Sequence, residues 1–281
     1  MEKLQKALSK ARQERSGVTR EAPQKRAPVA PRAARPPSEA SDNFPEIWQK
    51  LKPLDPDPRH LSANRIMTLN ALPEANPFDV LRTKIYLLMR QNGWTRLAIT
   101  SPNKGCGKTT TACNLAVGFS RQSEVKSMLF DVDLRRPGVA TMLGQQPEHD
   151  IRELLVGEVA PEDQMLRLRS NVAISMARRP VSDPTQLLLS QKTVQTFDNI
   201  QAQFEPDVMI FDLPPMLVTD DARAKLKNVD CALIVARAEQ TRMSQLDVCE
   251  REVSEHTNVL GVVLNNCRHM GAEEDYYGDY S

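Results

Sequence analysis

Residues 98–112, AITSPNKGCGKTTTA, hold the side chains best placed to do chemistry. An apolar run ends at Thr100, a loop carries Gly105, Cys106 and Gly107, and Lys108-Thr109-Thr110 open a helix. A polyphosphate cradle needs that order of parts. Glycines let backbone N–H groups approach phosphate oxygens, and a helix N-terminus adds its positive dipole end. In such a loop the Lys108 ammonium reaches the outer phosphates, and the Thr109 hydroxyl can ligate Mg²⁺. The spacing departs from G-x-x-x-x-G-K-[ST] at one point: Pro102 stands where the first glycine is usual.

Two more segments bring carboxylates. Residues 128–137, MLFDVDLRRP, deliver Asp131 and Asp133, and residues 208–215, VMIFDLPP, deliver Asp212. Both read as continuous apolar runs, the pattern of parallel strands buried on two faces, and ligands sit beyond the carboxyl ends of such strands. Each aspartate alone is equally a strand-end or turn residue. All three beside a phosphate loop point to a Mg²⁺-nucleotide site.

The elements that must position these groups follow an α/β rhythm. A helix is predicted over 77–91, apolar at Phe78, Leu81, Ile85, Leu88 and Met89, with further helical stretches over 108–121, 184–203 and 241–256. Strands are predicted over 96–100, 127–133, 172–177, 207–213, 231–238 and 259–266. Strands alternating with helices imply a mostly parallel sheet covered on both faces. The expected fold class is α/β, a three-layer P-loop NTPase domain over 73–270, preceded by a disordered Pro-rich segment.

The remaining chain differs in composition. Net charge is +1 over 281 residues, but residues 1–40 carry ten Lys/Arg against four Asp/Glu. The domain therefore lacks the basic surplus of a nucleic-acid binder. No apolar run approaches the roughly 20 residues that span a bilayer, and the charged N-terminus does not read as a secretory signal. Five scattered cysteines without a C-x-x-C pair suit reduced thiols. Cys106 lies inside the phosphate loop, where its oxidation would block nucleotide or where it is simply a small residue in a tight turn. Residues 1–16 form an amphipathic helix candidate through Leu4, Ala7, Leu8 and Ala11, suited to docking. Residues 17–72 read as a flexible linker, with nine prolines between Pro23 and Pro58. Within it Phe44, Ile47 and Trp48 mark either a short docking segment or a piece packed on the outside of the domain. Residues 271–281 form a tail.

Together these residues resemble the bacterial tyrosine kinases of capsule and exopolysaccharide export, in the stand-alone CapB/CpsD-like form, over roughly 73–281. The family's phosphate loop is similar to Gly105-Cys106-Gly107-Lys108-Thr109-Thr110. Its D-x-D-x-R-x-P motif is similar to Asp131 through Pro137, and its Walker B strand to Ile210-Phe211-Asp212-Leu213-Pro214-Pro215, followed by Asp220 or Asp221. DPTQLLLS (183–190) and GVVLNN (261–266) also resemble family elements. Three of the four tyrosines, Tyr276, Tyr277 and Tyr280, lie in the last six residues. The resemblance implies that they are autophosphorylation sites presented to a neighbouring subunit. Of the family's E-x-x-R-x-x-R helix, tied to ring-like self-association, the positions are Asn76, Asp79 and Arg82, and only Arg82 agrees. The signature lysine of partitioning ATPases would fall on Asn103, while Lys104 is one residue closer to Lys108.

The resemblance implies an ATP-dependent protein-tyrosine autokinase with ATP and Mg²⁺ as cofactors. Lys104 and residues 105–110 would hold phosphates, and Thr109, Asp131 and Asp212 the metal. Asp131 or Asp133 would accept the tyrosine proton, and Asn265 would read the adenine edge or act as half of a turn-forming Asn265-Asn266 pair. It further implies a cytoplasmic protein held at the inner membrane by a separate polysaccharide co-polymerase that activates it, with homo-oligomers possible. Each phosphotyrosine adds roughly −1.5 to −2 charge, which would oppose re-entry of a modified tail into a carboxylate-lined site. The other reading is an ATP-gated scaffold of polysaccharide export, MinD/ParA-like and without kinase activity.

Overall fold

Along each central strand the apolar residues alternate between two separate cores, the period of two that a sheet covered on both faces demands. Leu97, Ile99, Leu129, Val208, Ile210 and Leu233 enter one core, and Ala98, Met128, Phe130, Met209, Phe211 and Ile234 the other. The computed structural model describes residues 45–267. The strands are β1 (Lys52–Leu54), β2 (Arg96–Thr100), β3 (Ser127–Asp131), β4 (Leu166–Leu168), β5 (Val172–Ser175), β6 (Val208–Asp212), β7 (Cys231–Arg237) and β8 (Asn258–Asn265). They form one sheet in the order β1-β4-β5-β3-β6-β2-β7-β8, parallel except for the antiparallel β4–β5 pair. This is the mostly parallel P-loop NTPase sheet that the sequence rhythm predicts.

The helices are α1 (Glu46–Gln49), α2 (Pro58–Ala63), α3 (Asn76–Asn92), α4 (Lys108–Phe119), α5 (Val139–Leu143), α6 (Ile151–Val156), α7 (Pro161–Gln164), α8 (Pro184–Leu189), α9 (Gln191–Phe204), α10 (Asp221–Leu226) and α11 (Met243–Ser254). On one face α4 buries Ala112, Leu115, Ala116 and Phe119, backed by Ile85 and Met89 of α3. On the other, α6, α9, α10 and α11 cover Phe130 and Phe211, which pack with Phe197 of α9 at ring separations of 5.1–5.2 Å. The stretch predicted as one helix over 184–203 is two, because Ser190 takes an extended conformation and caps α9 through Thr193 N–H.

The expected flexible linker over 17–72 and domain start at 73 need correction over 45–72. There the chain is folded into the domain. Trp48 is fully buried, donates its indole N–H to Phe204 O (3.0 Å) and meets the Phe204 ring edge-on at 5.8 Å. Lys52, Pro53 and Leu54 pair with Leu166, Arg167 and Leu168 at the end of the sheet. Leu61 and Ile66 enter the α4-side core. Proline content excluded a long helix there, but it permits an edge strand and N-terminal helix positions, where no N–H is needed. Of the Phe44-Ile47-Trp48 segment, Ile47 and Trp48 pack on the domain, and Phe44 lies outside the described residues. So do the amphipathic helix expected over 1–16, linker residues 17–44 and the tyrosine tail.

Candidate functional site

The three chemistry-bearing strand ends are neighbours in the sheet. β2, which feeds the phosphate loop, pairs with β6, and β6 pairs with β3. Register sets Asp131 opposite Asp212, and Asp212 opposite Ile99. The alternation that sends Leu129 and Ile210 toward α4 also turns Asp131 and Asp212 to that face, where α4 begins.

The loop itself is set by glycine geometry. Gly105 and Gly107 have φ of +75° and +95°, a region other residues avoid, and Gly107 directly precedes Lys108 at the start of α4. A side chain at Gly107 would also strike the Asn265 amide, Nδ2 first. Two neighbours orient the loop's peptides. Arg237 Nη1 donates to Gly105 O (3.2 Å), and Asn265 Nδ2 donates to Cys106 O (2.9 Å). Since a trans peptide points its N–H opposite its carbonyl, the N–H groups of Cys106 and Gly107 face away from those partners. The absent glycine at 102 has a structural counterpart. Pro102 is buried, and the segment after β6 grips this end of the loop through Met216 N–H to Ser101 O (2.8 Å) and Leu217 N–H to Pro102 O (3.3 Å).

Charge at the site is unbalanced in an informative way. Asp131 and Asp212 are fully buried. Asp131 Oδ2 accepts the N–H groups of Gly138 (3.1 Å) and Val139 (3.0 Å), but its Oδ1 and both oxygens of Asp212 are buried without a hydrogen-bond partner. Burial, reinforced by the neighbouring Asp212 charge, pushes the Asp131 carboxyl well above the ordinary carboxylate range. Burial raises Asp212 to about 6, although the Lys108 ammonium and Thr109 hydroxyl pull it down. Asp133 lies nearer the mouth, with Oδ2 3.8 Å from Lys108 Nζ, and is also raised, by burial before anything else. Two buried carboxylates on adjacent strands, with orphaned oxygens, could hold a cation. The donor set is all oxygen, two carboxylates and the Thr109 hydroxyl, which suits Mg²⁺ completed by phosphate and water. Among the described residues no cluster of three or more His, Cys, Asp or Glu could hold a metal by itself.

Several supporting contacts escaped the sequence reading. Gly138 approaches Thr109 so closely that a Cβ there would lie 3.1 Å from Thr109 Cγ2, so Arg-Pro-Gly turns back onto the loop. Arg135 grips Asp221 through Nε (2.5 Å) and Nη2 (3.2 Å), and Thr185 of α8 donates to the same carboxylate (2.5 Å). Of the two candidates after the Walker B strand, buried Asp221 is therefore tied to the D-x-D-x-R loop, while Asp220 pairs with Arg223 at 2.7 Å. Asn265 stands against the phosphate loop, its amide engaged by Cys106 O, and Asn266 takes a left-handed turn conformation (φ 60°). Lys104 is exposed, and Cys106 is buried with its sulfur 3.8 Å from Thr241 Oγ1. At the E-x-x-R positions, Arg82 donates to Asp79 (2.8 Å) and to Gly118 O at the end of α4 (2.8 Å), and Arg121 also pairs with Asp79.

Comparison with known proteins agrees with this fold. The ParA family model, described as NUBPL iron-transfer P-loop NTPase, matches residues 94–279. Tyrosine-protein kinase YwqD of Bacillus subtilis is 27% identical over 203 residues, covering 72% of this chain and 85% of YwqD. The putative tyrosine-protein kinase EpsB of Ralstonia nicotianae is 26% identical over 197 residues, 69% of this chain but only 26% of EpsB. The chain thus spans about a quarter of EpsB and nearly all of YwqD. Among solved structures, the VpsO kinase domain superposes with a TM-score of 0.61 at 25% identity, covering 75% of this chain and 97% of that one. The kinase domain of Escherichia coli ETK shares the fold at the same TM-score, with 24% identity and coverage of 71% and 78%. No helix among the described residues is long and apolar enough to cross a membrane.

Proposed function

We propose, from the premise that this chain belongs to the ParA family of P-loop NTPases, that it is an ATP-dependent protein-tyrosine autokinase whose acceptors are Tyr276, Tyr277 and Tyr280. The observation that carries the reading is the pair of buried carboxylates beside Lys108 and Thr109, Asp131 with one unpartnered oxygen and Asp212 with two. The names of the relatives, tyrosine-protein kinases, supply the reaction class.

Phosphoryl transfer depends on positioning and charge stabilisation more than on covalent chemistry. The N–H groups of the 105–109 loop and the Lys108 ammonium bind the ATP phosphates. Thr109, Asp131 and Asp212 hold Mg²⁺, which when bound neutralises phosphate charge. Asp133, closer to the mouth and with its proton affinity raised, accepts the tyrosine hydroxyl proton, a role for which Asp131 is the alternative. Arg135, held by Asp221, fixes the loop that carries both carboxylates. Lys104 supplies a further cation beside the phosphates, and Asn265 contributes by bracing the loop rather than by reading the base.

In the cell the reading places the protein in the cytoplasm beside the inner membrane. It would serve capsule or exopolysaccharide export through a membrane-spanning co-polymerase docked by residues 1–16. A scaffold without transferase activity is the second reading, favoured by the internal use of Asp79 and Arg82. Intact mass after incubation with ATP·Mg²⁺ separates them. A kinase gains one to three phosphates on the tail tyrosines, and Lys108→Met gains none while keeping its fold. Unchanged mass despite ATP binding, with the co-polymerase's cytosolic segment also present, would sink the kinase reading.

A further inference from the structure

The two ends of the sheet are finished differently. At one end β1 is three residues long, with exposed Lys52 and with Pro53, which has no N–H to offer. Short length, lysine and proline are the devices that keep a sheet edge from pairing with another chain. At the other end β8 is eight residues long and reads NVLGVVLN, without a charge or a proline. Its register irregularity against β7 lies at Ala232/Leu233, so Gly261 through Asn265 run regularly along the edge. Among the described residues β7 is its one strand partner.

Hydrogen bonding fixes which residues of β8 face the open side. Asn265 O accepts the N–H of Ala238 (2.9 Å), so Val263, two residues earlier, also turns its peptide groups toward β7. The alternate residues Val262 and Leu264 therefore direct N–H and C=O outward. Leu264 O meets only the weak thiol donor of Cys267 (3.5 Å). Ile234, the register partner of Val262, enters the core with Cys249 and Val253 of α11, which places the Val262 and Leu264 side chains on the α11 side. There Val262 is 43% exposed and Leu264 60%, and Met243 in the first turn of α11 is 54% exposed. An open row of backbone groups beside exposed apolar side chains is a surface for a further strand.

The backbone asks for an extended partner, and the apolar side asks for one without charge. Two segments of the chain outside the described residues differ from that in composition. Residues 17–44 hold five prolines and five Lys/Arg, and residues 268–281 hold Glu273, Glu274, Asp275 and Asp279 with two glycines. A second β8 matches on both counts. We propose that β8 pairs antiparallel with β8 of a second copy about a two-fold axis, Val262 opposite Leu264 of the partner subunit and Leu264 opposite the partner's Val262. This register engages the outward groups of both residues, and the axis passes by Val263. The exposed side chains of the two copies then meet on the α11 side, and the eight-stranded sheet is doubled. No charge of β8 opposes the contact, so backbone pairing and apolar burial hold it. The contact needs no nucleotide and stands apart from the kinase reading.

Sedimentation velocity of the full chain without nucleotide tests it. Wild type should pass from monomer to dimer as concentration rises, with little dependence on salt. Val262→Lys with Leu264→Lys sets lysine opposite lysine and should weaken association by about tenfold or more. Val262→Glu with Leu264→Glu should do the same. Leu264→Lys alone, at the more exposed position, should give a smaller loss of the same sign. An equimolar mixture of the two double variants should restore the dimer, because each Lys then faces a Glu, and this dimer should weaken as salt is added. Melting at a concentration where every chain is monomeric should match wild type, which separates lost pairing from lost folding. A wild-type chain that stays monomeric at every concentration overturns the proposal and leaves the edge to another segment or partner. A dimer that the folded Lys variants keep, or a mixture of folded variants that stays monomeric, overturns it equally.

Discussion

Asp212 is the residue on which the site turns, because its environment opposes the charge its function needs. Buried at the end of β6 with neither oxygen bonded, it holds its proton to about pH 6, against an ordinary value of 3.8. Below 3.8 both folded and unfolded chains are protonated here, and the group contributes nothing to pH dependence. Between 3.8 and about 6 the unfolded chain has released the proton that the folded chain retains, so stability falls as pH rises; above about 6 the full penalty is present. Asp131 is shifted in the same direction and adds to the effect. Asp212→Asn removes the charge. In the absence of metal and nucleotide this variant should melt at a higher temperature than wild type at pH 7, with the difference shrinking toward pH 4. Addition of ATP·Mg²⁺ should stabilise wild type strongly and the variant little, because the cation offsets a charge that the variant lacks. Equal melting temperatures at pH 7 would mean that Asp212 is solvated or paired in solution.

At the scale of elements, the domain begins earlier than its nucleotide-binding signature. α1 and β1 add an edge strand and insert Trp48 against α9, so truncation of that one side chain tests whether the segment belongs to the fold. Trp48→Ala should cost about 3–5 kcal/mol in denaturant unfolding, whereas a side chain on a free linker would cost nothing measurable. The segment was hard to read because β1 and β4 are three residues long and carry Pro53 and Arg167, too short for a periodic signal. The central strands were legible for the opposite reason: RLAIT, SMLFD and VMIFD are apolar throughout their interiors because both their faces are covered. The same division runs through the site. Lys108, Thr109, Asp131 and Asp212 could be found because each sits in a contiguous strand-to-loop pattern. Arg135 with Asp221 lies 86 residues apart, and Asn265 with Cys106 lies 159 apart. No local pattern signals such contacts; they are products of sheet order.

For the molecule as a whole, the proposed transfer to a tail in trans would require one copy to meet another. The helix that resembles the family's association element, α3, directs Asp79 and Arg82 inward. Arg82 is 8% exposed and bridges Asp79 to the carbonyl of Gly118, while Arg121, just past α4, pairs with the same Asp79 oxygen. What α3 shows outward is instead Val80, Leu87 and Leu88. The ion cluster thus fastens α3 to α4, the helix whose first turn is the phosphate cradle, and its role is internal. Arg82→Ala leaves Gly118 O with the weaker Arg121 N–H contact (3.3 Å) and Asp79 with one partner fewer, which should cost about 1–3 kcal/mol of stability. Sedimentation of the folded chain should be the same as for wild type at every concentration. Tail phosphorylation, measured below the melting transition, should keep the wild-type dependence on protein concentration. A variant that melted like wild type but sedimented as a smaller species would place Arg82 between subunits and reverse this assignment.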